Sequence, residues 1–486
     1  MFPPTRETNT MQMPGELGTF HIIGIGGIGM SAIAEILLAK GYSVQGSDQK
    51  DSANVRRLRA KGVRVFVGHD AVNLVGARHV VISTAVKRGN PELEAARQRG
   101  LPIIRRAEML TELMRMHQTI SITGTHGKTT TSSLVSQMFE TANLDPTVIT
   151  GGIINAWGTN ARLGKGPWMI VEADESDGTF TRLPTEIGIV TNIDPEHLDY
   201  FGSVDAMHRE YEAFIRNIPF YGLVVACTDH PVVASMIERL DLRRDSRRLL
   251  TYGTKDADLV VGNITQAGHV TTFDVKLSAR VNGKEELLAG IELPLPGHHN
   301  ALNALAAIAV GITAGLDEAT IRKGLATFSG VKRRFQPTGT WNGISFFDDY
   351  GHHPAEIAAV LQAARAGAKG RVIAVVEPHR YTRVRDLFKE FTRCFGDADG
   401  VIVGPLYTAG EAPISGIDNH ALAEGIKATG HPSVLVIDSP TELIGILRKF
   451  GRANDMVVCL GAGTSTEWAH ALPEWLADDH SRMAGE

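Results

Sequence analysis

Three times along the chain a short aliphatic or β-branched run breaks into a turn and then into a helical pattern. An α/β sheet assembled one βα unit at a time reads this way. The first start is FHIIGIGGIGMSAIAEILLAKGYSVQGSD. It predicts a buried strand over 20–25, a turn at Gly24, Gly26, Gly27 and Gly29, a helix to about Lys40 and a second strand ending at Asp48. Further strands are expected at 63–67 and 79–84. The second start predicts a strand over 118–123 and a helix over 128–141, followed by strands at 168–173, 187–192 and 222–227. Residues 258–293 alternate polar and apolar in short runs, as antiparallel strands do, and helices follow at about 299–314 and 317–327. The third start comes after Lys332-Arg333-Arg334, with strands at 344–348, 371–376, 399–403, 433–437 and 455–460 between helical stretches. The breaks give a flexible N-terminal extension over 1–18 and three α/β domains over 19–117, 118–336 and 337–486.

Composition narrows the class. At 486 residues, about three domains are expected. Hydrophobic residues at 43% and charged residues at 21% describe a soluble globular chain with several cores. A net charge of −5 offers no footprint for nucleic acid, so any phosphate must be held by local sites. Cys227, Cys394 and Cys459 lie far apart and beside apolar segments, which predicts buried packing rather than disulfides or metal ligation. The first 18 residues lack the apolar core of a signal peptide, and the longest apolar stretch, 301–316, is too short to span a bilayer. A cytoplasmic protein without membrane association is the expectation.

The chemistry concentrates at the carboxyl ends of the expected strands. Residues 121–131, SITGTHGKTTT, form a glycine-rich turn opening a helix. Backbone N–H groups of Gly124, Thr125, His126, Gly127, Lys128, Thr129 and Thr130 can converge on phosphate oxygens there, with Lys128 reaching the terminal phosphates and the Thr129 hydroxyl placed for Mg²⁺. The usual phosphate loop has a glycine five residues before its Gly-Lys pair; here Ile122 occupies that place and the glycine is Gly124. The turn G-x-G-G-x-G at 24–29, with Asp48 about 20 residues on, fits a dinucleotide, another nucleoside diphosphate, or merely a tight turn. VEADESDG at 171–178 ends a strand in four acidic residues. Glu172 is the first of them and the expected metal ligand, with a solvated acidic loop as the plainer reading for Asp174, Glu175 and Asp177. His197 and Asp199 fall just past another strand, where His197 could meet a second Mg²⁺ or serve as a loop or core residue. Asn300 and Asn303 share one face near a helix N-terminus, suited to a purine edge, unless Asn300 only caps the helix. Arg380 and Arg383 in EPHRYTR offer forked donors for a carboxylate or phosphate, or else a basic surface.

The segments GIGGIGMS, GTHGKTTT, EADESD, NIDPEHLD, GHHNALNA, DDYGHHP and EPHRYTR stand in one order over roughly residues 20–465. In order and spacing the chain resembles the Mur ligases of peptidoglycan synthesis. The resemblance implies a Rossmann-like UDP-binding domain, a central P-loop ATPase domain and a C-terminal Rossmann-like domain that closes over the nucleotide. It implies that ATP phosphorylates the lactyl carboxylate of UDP-N-acetylmuramate, and that the amine of L-alanine then displaces phosphate to form an amide. Gly26, Gly27, Ile28, Gly29, Ser31, Asp48 and Ser83 would meet the UDP-sugar. Lys128, Glu172, His197, Arg334 and Asp349 would be catalytic, with Thr129 and Glu172 on one Mg²⁺ and His197 on a second. Asn300, Asn303, Arg334 and Asp349 would reach ATP, and His352, His379, Arg380 and Arg383 would line the alanine pocket. His126 would face the muramoyl side. Several members of the family carry a carbamylated lysine after the HLD segment, but residues 197–220 contain no lysine, leaving Glu210 or Glu212 as candidate carboxylates. Three rival readings remain at this stage. One is a family member joining UDP-muramate to a preformed tripeptide; the others are a nicotinamide-dependent oxidoreductase using the 24–29 turn and a nucleotide switch without ligase chemistry.

Overall fold

The computed structural model describes residues 17–83, 85–176, 178–244 and 247–478, except the side chain of Asp199. The expected flexible segment therefore lies almost wholly outside the described residues, as do Asp177 and the Asp199 side chain. Three sheets, two of them flanked by an antiparallel strand, confirm the α/β class.

Two compact units emerge. The first comprises residues 1–262, 273–291 and 302–329; the second comprises 263–272, 292–301 and 330–486. The first unit opens with five parallel strands in the spatial order Arg64–Val67, Val44–Asp48, Thr19–Ile23, Ala77–Ile82, Ile103–Arg105. The order reverses between Thr19–Ile23 and Ala77–Ile82, so a crevice is left at their carboxyl ends. Helix Ile28–Ala39 packs beside them with Ile33, Ile36 and Leu37 buried.

Under this sheet lies a polar core. Glu92 is fully buried and accepts from Ser47 Oγ at 2.5 Å and Asn73 Nδ2 at 2.6 Å, with His21 Nε2 at 3.4 Å and His69 Nδ1 at 3.3 Å. Burial alone would raise its carboxyl, but the donors from His21, Ser47 and Asn73 outweigh that and bring it down to about 2. A depressed carboxyl stabilises the fold above its unfolded value of 4.5, and that contribution fades as pH falls from there towards 2. Glu92→Ala should therefore cost about 3 kcal/mol at pH 7. Paired urea melts at pH 7 and pH 3 should show the gap to wild type narrowing in acid.

The second sheet has ten strands. Gln118–Thr123, which feeds the phosphate loop, lies between Ile187–Val190 and Trp168–Glu172, all parallel. Leu223–Cys227 and Arg248–Gly253 continue the parallel order on one side. Beyond them come Leu259–Ala267, Val270–Leu277 and Glu286–Leu293, the expected short alternating strands. On the other side lie Thr147–Ile154 and Thr159–Arg162, an antiparallel pair that hydrophobic patterning alone did not predict. The second unit is built on six strands in the order Gln336–Trp341, Ile344–Asp349, Met456–Leu460, Val372–Val376, Gly400–Val403, Val434–Val436. The first is antiparallel and the rest are parallel. All three cysteines are buried, as packing residues should be.

Candidate active site

The phosphate loop joins strand Gln118–Thr123 to helix Lys128–Thr141, whose N-cap Gly127 has φ +82°. A Cβ there would stand 2.5 Å from Asn303 Oδ1, so the glycine admits that side chain. Asn303 is buried against the loop and accepts from Thr131 Oγ1 at 3.2 Å. The loop is braced from the neighbouring strand: Thr125 N donates to Asn192 O, and His126 N donates to Asn192 Oδ1 at 2.7 Å.

Lys128 points back over the loop. Its Nζ donates to Gly124 O at 2.5 Å, Thr125 O at 3.0 Å and Glu175 Oε1 at 2.9 Å. Burial works against its charge, but Glu175, Glu172 and Asp174 more than compensate and hold its pKa above that of an ordinary lysine. Glu175 corrects the sequence reading. Against the plainer reading of a solvated loop, it is buried at 2% exposure, and burial lifts its carboxyl to about 7 against the pull of Lys128. Alternation could not reveal this, because the residue follows a strand end rather than lying on a strand face.

Thr129 Oγ1 donates to Glu172 Oε2 at 2.9 Å, and the same oxygen accepts Gly151 N–H at 2.6 Å. The pair expected at the metal is thus together at the head of the loop. Among the described residues no cluster of three or more His, Cys, Asp or Glu is arranged as a metal cage. Two hard oxygen donors suit Mg²⁺, which characteristically completes its shell with phosphate oxygens and water. His197, at the N-cap of the short helix Leu198–Phe201, brings Nε2 to 4.0 Å from Glu175 Oε1. Of the two candidate substitutes for the missing lysine, Glu212 is paired with Arg239. Thr130 is buried in the first turn of the helix.

The 24–29 turn opens into a cleft of about 1030 Å³ at the sheet reversal. Gly27, Ile28, Gly29, Asp48 and Ser83 are among the residues that line it. Gly26 and Ser31 stand behind that wall: Gly26 N–H goes to Asp48 Oδ2 at 2.9 Å, and the buried Ser31 hydroxyl donates to Ile28 O at 3.0 Å. Arg106, Asp174 and Ser176 line the cleft too; the sequence offers Asp174 only as one of an acidic run and does not single out the other two. Asp174 and Ser176 belong to the same acidic segment that supplies Glu172 and Glu175, so one segment serves both the cleft and the phosphate loop.

In the second unit the carboxyl ends of Ile344–Asp349 and Val372–Val376 flank that of Met456–Leu460. Asp349 is buried, accepting from Phe335 N and Gly351 N, each at 2.7 Å. Burial lifts its carboxyl to about 6, with Arg334 and the two N–H groups restraining the rise. The Arg334 guanidinium lies 5.3 Å from the Tyr350 ring centre. His352 and His379 approach to 5.5 Å between ring centres, and His379 stacks on Tyr407 at 5.3 Å. Arg383 Nη1 meets His379 Nδ1 at 3.0 Å and His379 O at 3.2 Å. Arg380 holds φ +69° ahead of helix Tyr381–Asp386, with its N–H on Tyr407 O at 2.9 Å. Three of the four expected alanine residues thus form one cluster. Asn300 Nδ2 donates to Pro296 O at 2.8 Å; the helix starts at His298, so Asn300 is not its cap. Glu377, which patterning did not single out, accepts from Gly463 N, Thr464 N and Ser465 N at the head of helix Ser465–Ala477.

Comparison with known proteins matches the three parts of the chain in turn. Residues 19–118 match the Mur ligase family catalytic domain, 122–311 the Mur ligase middle domain, and 333–463 the Mur ligase glutamate ligase domain. A UDP-N-acetylmuramate–L-alanine ligase of Mesorhizobium japonicum is 56% identical over 468 residues, covering 96% of this chain and 100% of the relative. One from Methylorubrum populi is 56% identical over 468 residues, covering 96% and 99%. Among solved structures, the UDP-N-acetylmuramate-alanine ligase MurC of Thermotoga maritima superposes with a TM-score of 0.78 at 28% identity, covering 95% of this chain and 99% of that one.

Proposed function

The chain belongs to the Mur ligase family, and from that premise we propose that it is an ATP-dependent UDP-N-acetylmuramate–L-alanine ligase of peptidoglycan precursor synthesis. The observation that carries the reading is the continuity of two sites within the first unit. A cleft that starts at the glycine turn ends on Asp174 and Ser176, and the same acidic segment supports Lys128 and Thr129. A nucleotide-sugar held in that cleft delivers its carboxylate to the γ-phosphate of ATP.

A carboxylate is a poor electrophile because its leaving group would be oxide. Transfer of the γ-phosphoryl gives an acyl phosphate and ADP, and Lys128 offsets charge on the moving group. The amine of alanine then attacks the carbonyl carbon, the carbon–oxygen bond to phosphate breaks, and an amide and inorganic phosphate result. His352, His379, Arg380 and Arg383 are assigned to alanine, the guanidinium groups suiting its carboxylate. Asn303, Asn300, Arg334 and Asp349 are assigned to ATP. Thr129 and Glu172 would hold one Mg²⁺, which draws charge from the phosphates, and His197 is the candidate ligand for a second. A cytoplasmic location accords with ATP as the phosphoryl donor.

The test is phosphate release with ATP, Mg²⁺ and UDP-N-acetylmuramate against a panel of amino acids and a preformed tripeptide. Release is expected to need both the UDP-sugar and free alanine. Release driven by the tripeptide alone would move the chain to the recycling branch, and release independent of the UDP-sugar would overturn the reading. An oxidoreductase would leave the phosphate loop without a role.

A further inference from the structure

Three adjacent parallel strands each deliver one side chain to a single ionic cluster. Gln118–Thr123 leads to His126, Ile187–Val190 to Asp194 and Leu223–Cys227 to His230. His126 Nε2 meets Asp194 Oδ2 at 3.0 Å, while His230 Nε2 meets Asp194 Oδ1 at 3.2 Å. The carboxylate is thus held by an imidazole on each oxygen. Because an ionised carboxylate only accepts, His230 presents Nε2–H to Oδ1, while His126 stands against Oδ2 at ion-pair distance. Burial would raise the Asp194 carboxyl, but the two imidazoles outweigh it and keep the group well below the usual carboxylate range. The backbone of Asp194 is engaged as well: its N–H donates to Thr125 Oγ1 at 2.8 Å, and its carbonyl accepts from that hydroxyl at 3.1 Å. Asp194 therefore grips two consecutive residues of the phosphate loop, one through its backbone and one through its side chain.

We propose that Asp194, held from behind by His230, is a positioning residue for the phosphate loop. The proposal rests on the ligase reading above, because it concerns how that loop meets ATP. Lys128 binds two carbonyls of the same loop, Gly124 and Thr125. A shift at Thr125 or His126 therefore moves the ammonium along with the backbone donors. Among the described residues no hydrogen bond or ion pair joins the His230 side chain to the loop, and its polar partner is Asp194. It heads helix Pro231–Leu240 without any side-chain capping bond, so its replacement removes no cap.

The experiment compares wild type with His230→Ala, His230→Gln and Asp194→Asn, all as the full chain. Steady-state phosphate release gives kcat and the KM of each substrate, and titration gives the Kd for UDP-N-acetylmuramate. Losing one hydrogen bond to a charged group corresponds to about a tenfold effect. His230→Ala should raise the ATP KM about tenfold while leaving UDP-sugar affinity and alanine KM near wild type. His230→Gln, which keeps an N–H at similar reach, should recover most of the loss. If the alanine variant does not fold, the isosteric Asp194→Asn carries the same expectation for ATP. An unchanged ATP KM in folded variants overturns the proposal. So does a parallel rise in all three KM values without rescue by glutamine, which would mark a general packing role. If wild type itself releases no phosphate with UDP-muramate and alanine, the ligase reading has failed instead, and the two failures are distinct.

Discussion

Lys128→Ala should lower turnover by about 10³-fold while leaving the affinity for UDP-N-acetylmuramate near wild type. The ammonium is largely buried, with two carbonyls of its own loop and the Glu175 carboxylate fixing its direction before ATP arrives. Preorganised charge of this kind acts at full strength in a dry site, because no solvent must reorient when the phosphoryl group moves. The carboxylates of Glu175, Glu172 and Asp174 keep the amine protonated across any physiological pH. Removal also leaves Glu175 buried without its cation. That carboxyl stands at about 7 even beside Lys128, so in the variant it takes up a proton instead of burying a bare charge. The variant should therefore fold, and the loss should appear in catalysis. The UDP-sugar cleft does not draw on Lys128, since its walls come from the glycine turn, Ser83, Arg106 and the Asp174–Ser176 segment. Phosphate release and a UDP-sugar titration on the same preparation check both halves. A folded variant that loses UDP-sugar binding would contradict the division of labour between cleft and loop.

What could be read in the sequence follows a physical line. Strands buried on both faces favour apolar and β-branched residues, so the aliphatic runs of Trp168–Glu172 and Leu223–Cys227 are legible, as are Thr19–Ile23 and the isoleucine–threonine pattern of Gln118–Thr123 ahead of its glycine turn. Their carboxyl ends carry the motif residues, which is why the phosphate loop, Glu172 and the His352–His379–Arg383 cluster were legible. Strands that are short, polar or interrupted were not. Gln336–Trp341 contains Pro337 and Gly339 and lies at a sheet edge, where proline and weak apolar patterning are tolerated. Thr147–Ile154 is broken by Gly151 and Gly152. Partners that meet only in space were also beyond reach. Glu175 answers Lys128 across 47 positions and Asp194 meets His230 across 36, separations with no periodic signature. Asp48 is an intermediate case: its place at the cleft was readable, but its bond to Gly26 N–H was not.

Gly124→Ala should cost at least about 100-fold in kcat/KM for ATP, the scale expected when a catalytic loop is displaced by about an ångström. The irregular spacing of the phosphate loop puts its first glycine at 124, and the structure shows what that position requires. Its φ is +130°, a conformation side chains other than glycine rarely adopt. A Cβ there would fall 2.1 Å from Thr191 Oγ1 and within 3.0 Å of the Asn192 backbone. Neither neighbour is free to retreat. Thr191 Oγ1 donates to His126 O at 2.6 Å, and Asn192 O accepts from Thr125 N at 3.1 Å. The added methyl must therefore push its own loop outward, away from strand Ile187–Val190. That motion carries off the Gly124 carbonyl, which holds Lys128, and loosens the contacts that Asp194 makes with Thr125 and His126. Lys128 and Thr129 both shift relative to Glu175 and Glu172, so two interactions fail through one substitution. Ile122, in the place where other phosphate loops carry their glycine, is a buried strand residue paired with Ile189, and the loop begins only after it. Ile122→Gly should accordingly fail to rescue Gly124→Ala. The check is ATP KM and kcat for both the single and the double variant. A Gly124→Ala enzyme with wild-type kinetics would show that the loop has a second route around Thr191.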